Sequence, residues 1–130
     1  MLKTISMMLL ACALTVTTAA AQDLTAAEAV ALIKGKTLYQ DLPGGPRGKG
    51  PAMIYYADDN KLAAKFPNGT TPKGTWTAKD NTICTTWDDQ PVNPCTRYRK
   101  DGDQITTINV ETGQIRGIIG KIVPGNPEKF

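Results

Sequence analysis

The chain has 130 residues, with 15 Lys and Arg against 12 Asp and Glu, no histidine, and a formal net charge of +3. So mild a charge argues against an electrostatic footprint for nucleic acid or a membrane surface, and the length allows one modest core. The lack of histidine removes serine triads, Cys–His dyads and histidine-based metal sites.

The chain opens "MLKTISMMLLACALTVTTAAAQDL". Lys3 gives a short positive start, an apolar run extends from Ile5 to Val16, and small residues stand at Ala19 and Ala21. This is the layout of a secretory signal peptide over residues 1–21, cut after Ala21. A membrane helix needs about 20 apolar residues, and Thr17, Thr18 and Gln22 end this run sooner. A second reading comes from "LLAC", Leu9 to Cys12, which resembles a lipobox and would lipidate Cys12, although Leu10 is larger than usual there. Only that reading brings a membrane in as a partner. Cleavage after Ala21 predicts a periplasmic or secreted single domain over residues 22–130, which is 109 residues with the charge reduced to +2 by loss of Lys3. Ser6 leaves with the signal, and the remaining chain has no serine.

"DLTAAEAVALIKGKT" predicts a helix over residues 25–34 that packs against a sheet. Thr25 is its N-cap, Glu28 completes a capping box, and Gly35 suits the left-handed position past its end. Ala26, Val30 and Ile33 share a face, with Ala29 beside them.

Short β signals follow. Strands are predicted over residues 36–40, 52–57, 61–66, 74–78, 82–87, 95–100, 104–110 and 114–123. Turn signals separate them, the strongest being Asn68-Gly69. The expected fold is therefore mainly β with one N-terminal helix, an antiparallel meander that closes into a small barrel or bends strongly to limit its edges. Gly117 and Gly120 mark bends in the last strand. The basic run Arg97 to Lys100 alternates between faces in a strand and reads as a solvated edge.

The Gly- and Pro-rich stretch over residues 41–51 reads as a flexible loop, a candidate lid over one sheet face. It lacks the Gly-Lys-Thr/Ser of a phosphate loop. Tyr55, Tyr56, Trp76, Trp87 and Tyr98 are read first as core or half-buried sheet residues. If the barrel holds a ligand, these aromatics are the expected lining.

Cys84 and Cys95 each sit beside a β-like run with turn residues between them. In an oxidising compartment such a pair forms a cross-strand disulfide. It would close a loop of about 12 residues, for roughly 3 kcal/mol in the chain-entropy model. Ten residues between them separate the pair from the Cys-x-x-Cys of thiol redox catalysts. A zinc site needs about four ligands, and Asp88 and Asp89 lack the acidic spacing of an EF-hand. No metal and no cofactor are expected.

Most acids sit in turn signals, "ADDNK", "AKDN", "WDDQP" and "KDGDQ", where local hydrogen bonding favours Asp. Turn chemistry accounts for them without catalysis, and no catalytic residue is assigned.

The ordered set "GTW" (Gly74 to Trp76), "CTTW" (Cys84 to Trp87), "CTRYRKDGD" (Cys95 to Asp103) and "IVPGNPE" (Ile122 to Glu128) resembles a domain-of-unknown-function family of small secreted, mostly alphaproteobacterial proteins. The resemblance implies export, a Cys84–Cys95 bridge and an uncharacterised role. It supplies no catalytic residues.

Three function classes follow. The first is a periplasmic binding or interaction module, holding a small apolar ligand or meeting a periplasmic protein. The second is an inhibitor of a secreted enzyme, with Asp88 to Pro94 as an inserting loop. The third is a carboxylate-dependent hydrolase, which requires two acids facing one cleft.

Overall fold

A computed structural model of the chain describes residues 12–15 and 20–130. Most of the predicted signal segment, residues 1–11 and 16–19, lies outside the described residues. Cys12 is exposed.

The described residues form one helix, α1 (Ala26–Ile33), and nine strands. The strands are β1 (Gln22–Asp23), β2 (Lys36–Pro43), β3 (Lys49–Tyr56), β4 (Lys61–Lys65) and β5 (Lys73–Lys79). They continue with β6 (Thr82–Trp87), β7 (Cys95–Asp101), β8 (Gln104–Asn109) and β9 (Ile115–Pro124). From β2 to β9 each strand pairs antiparallel with its successor, and β9 returns to pair with β2. The meander is thus a closed eight-stranded barrel, so no long edge is left unpaired.

The strands alternate as a barrel requires. Leu38, Ala52, Ile54, Leu62, Ala64, Trp76, Ile83 and Ile119 are buried inside. The helix closes one end. Its capping box is formed, with Glu28 N–H donating to Thr25 Oγ1 at 3.2 Å and Thr25 N–H donating to Glu28 Oε1 at 3.0 Å. Ala26 N–H donates to Asn81 Oδ1 at 3.0 Å, which ties the helix start to the β5–β6 turn. Gly35 has φ +71°, and its N–H donates to Tyr56 O at 2.7 Å. Helix α1 therefore lies against β2, β5 and β6, and Ala29 and Ile33 enter the core.

The seams differ in length. Strands β2 and β3 pair along their full lengths, from Lys36↔Tyr56 to Pro43↔Lys49. Strands β6 and β7 meet only at Ile83↔Thr96 and Cys84↔Cys95. The second of these positions carries the disulfide, with its Cα atoms 4.0 Å apart. Further along, β7 parts from β6, and β1 takes the free side at Gln22↔Lys100 and Asp23↔Arg99. The covalent link thus reinforces the shortest ladder of the barrel.

Two expectations change. The loop predicted over 41–51 is shorter, because β2 continues to Pro43 and β3 begins at Lys49. Gly50 reaches φ +123° and stays in register with Leu42, a conformation closed to most side chains. Pro51 lies beyond the β3–β4 ladder, which covers Met53 to Tyr56, so one side of its strand is unpaired and its missing N–H costs little. The other change is β1, a short strand with no β signal of its own that forms because β7 offers it an edge.

The expected bends of the last strand are β-bulges. Ile108 pairs with Ile115 and Thr107 with Gly117, which leaves Arg116 as the extra residue. On the other side Tyr39 pairs with Lys121 and Gln40 with Ile119, which leaves Gly120. The C-terminal tail packs back on β2. Thr37 Oγ1 donates to Gly125 O at 2.8 Å, and the Tyr39 hydroxyl donates to Glu128 Oε1 at 2.7 Å.

Candidate functional site

At the end opposite α1 the barrel is open, and a cavity of about 360 Å³ runs inward from its mouth. The loops after β2, β4, β6 and β8 surround that mouth. The cavity has two unlike walls. Ile54 on β3, Phe66 just past β4 and Trp87 on β6 make an apolar wall, continued by Leu42. Gln40 on β2, Tyr98 on β7, Thr107 on β8 and Arg116 on β9 make a polar wall.

Backbone geometry brings the polar groups together. Gly117 has no side chain to fill the space beside β2, and a Cβ there would stand 2.7 Å from Gln40 Oε1. Gln40 takes that space. Thr107 Oγ1 lies 3.1 Å from Gln40 Oε1 and 3.1 Å from Gly117 O, and its single proton serves both. Tyr98 OH donates to Tyr56 OH at 3.2 Å in the buried interior. Burial raises both phenols, Tyr98 well above its ordinary value, because a phenolate there would lose its water.

Arg116 is the unexpected member. In regular β alternation it would point away from Gly117, to the outside. The bulge turns it into the cavity with Gly117. Its Nε is buried and has no hydrogen-bond partner among the described residues. Burial pulls its pKa down, partly offset by the two tyrosines and Glu111. The Ile115-Arg116-Gly117 step was the available sequence signal: a glycine next to a charged residue in a strand that must bend.

The mouth is latched. Arg47, in the β2–β3 loop, makes a two-point ion pair with Asp89 in the β6–β7 loop, at 2.5 and 2.8 Å. Its guanidinium also stands over the rings of Phe66 (4.5 Å) and Trp87 (5.6 Å) and is mostly buried. The guanidinium holds Asp89 below the usual carboxylate range, with its hydrogen bond as the main cause. Asn68 N–H donates to Arg47 O at 3.0 Å, so the predicted lid is pinned on two sides. Asp88 accepts from Lys73 N–H at 3.1 Å. Both acids of this loop are thus occupied by protein donors. No Asp or Glu lines the cavity among the described residues.

Of the aromatic residues singled out from the sequence, Tyr56, Trp87 and Tyr98 line the cavity. Trp76 is buried below it, 2% exposed, edge-on to Tyr56 at 6.0 Å, and its indole N–H donates to Ala57 O. Tyr55 is half-buried and alternates to the outer face of β3, opposite in sense to Ile54 and Tyr56. Phe66, Arg47, Gln40, Thr107 and Arg116 were not singled out as lining. Comparison with protein-family models, curated proteins and solved structures gives no match.

Proposed function

We propose that the protein is an exported binding module that holds one small, largely apolar molecule in the open end of its barrel. The carrying observation is the cavity itself: about 360 Å³, lined by Leu42, Ile54, Phe66 and Trp87, with a few convergent polar groups. Small-molecule sites of roughly 300–1,000 Å³ have this character. The Cys84–Cys95 disulfide is consistent with a periplasmic or extracellular location, where such bonds persist. The signal-like start and the resemblance to small secreted proteins support the same placement.

Native mass spectrometry of protein purified from its own host tests the reading. The expected result is a stoichiometric added mass that is lost on denaturation. Bare polypeptide from that source, together with one protein partner retained in a pull-down, would overturn it in favour of a protein-binding role.

A further inference from the structure

We infer that the ligand is a monoanion, a carboxylate on a short apolar body, gripped by Arg116 beside the Tyr56 and Tyr98 hydroxyls. The inference rests on the ligand-binding reading above and adds the chemistry of the headgroup. Arg116 forms no ion pair and no hydrogen bond among the described residues, although its Nε is buried. Arg116 is half-buried in the cavity lining with its Nε shut off from water and unpartnered among the described residues, and a carboxylate is the planar acceptor its fork fits best. The tyrosines add to this. Two hydroxyls share one hydrogen bond, so one proton is left to face the cavity.

The charge count limits the anion. Arg47 and Arg116 are the cationic residues of the cavity lining, and Asp89 already neutralises Arg47. One positive charge remains, which suits a carboxylate better than a phosphate dianion. Glu111, in the exposed loop after β8, acts on Arg116 only as the last of its influences. The opposite wall, Ile54, Phe66 and Trp87, suits a hydrocarbon body. The volume is near the small end for ligand sites, favouring a short chain or single ring.

Calorimetric titration with octanoate and with 1-octanol tests this, since the two differ in headgroup and share their chain length. The wild type should bind octanoate about tenfold or more tightly than octanol. Arg116→Gln should abolish that preference, so that the two probes bind with similar affinity, and Arg116→Lys should restore part of it. Circular dichroism confirms that each variant is folded. Equal affinity for the two probes in the wild type, or a preference that survives Arg116→Gln, would overturn the headgroup assignment and leave the binding cup standing. Failure of both probes to bind would count against the cup reading itself, and this inference would fall with it.

Discussion

At the end of the barrel where β2 begins, α1 fills the opening with Ala29 and Ile33, and Trp76 and Tyr56 pack edge-on beneath. At the other end, loops surround a cavity, and charged and polar side chains reach inward. The helix end spends its residues on burial, with its polar groups used up in caps and backbone bonds. The open end keeps a guanidinium and a phenol proton without partners among the described residues. Apolar packing at one end supplies stability, so the other end can carry groups that a core would not tolerate.

The largest way to break this contrast is at the helix end. Ile33 is wholly buried, and Ile33→Ala should cost about 2–5 kcal/mol in urea unfolding. At temperatures where the variant is still folded, probe binding at the mouth should be unchanged. A loss of affinity in the folded variant would show that the two ends are not separable.

The seam between the ends comes next. Replacing both Cys84 and Cys95 by Ala should cost roughly 3 kcal/mol, because β6 and β7 meet at only two register positions. Reduction of the wild type should have the same sign, read as a lower melting temperature with dithiothreitol than without.

Alkaline pH probes the polar wall. Tyr56 and Tyr98 have folded pKa values raised above 10.0. Their contribution is complete below the unfolded value of about 10 and is lost as pH climbs through the folded values. Stability should therefore fall on the alkaline side, and Tyr98→Phe should shrink that fall. Unfolding midpoints measured in steps from neutral pH upward check this.

The smallest effect is expected at the latch. Asp89→Asn removes the charge opposite Arg47 but leaves the stacking on Phe66 and Trp87. The unfolding midpoint should fall modestly, because the mostly buried Arg47 loses a two-point charged acceptor while the partly exposed Asp89 keeps the pair screened. Exchange of a bound probe should become faster, as measured by stopped-flow release.

The barrel was legible because its signals are local. The capping box at Thr25 and Glu28 is formed by residues three apart, and strand positions follow from alternation between turns. The Cys84–Cys95 pair was legible for the same reason, as the two strands are joined by one loop. The cavity was only partly legible. Tyr55 and Tyr56 look alike in sequence, and their opposite directions are fixed by register against β2 and β4. Trp76 and Trp87 are equally aromatic, but Trp76 lies deeper because its strand position places it below the cavity. Arg116 was hidden by its own alternation, since only the unpaired position in the β8–β9 ladder turns it inward.

The closure between β2 and β9 has a consequence for how the chain acquires its shape. Every other barrel seam joins sequence neighbours and can zip from its own turn, but this one unites residues 36–41 with 118–124. It carries the greatest loop-closure entropy and must wait for the final segment to arrive. The barrel can therefore shut only once the stretch from residue 36 through residue 124 is present together, and until then it remains a row of hairpins with two unjoined margins.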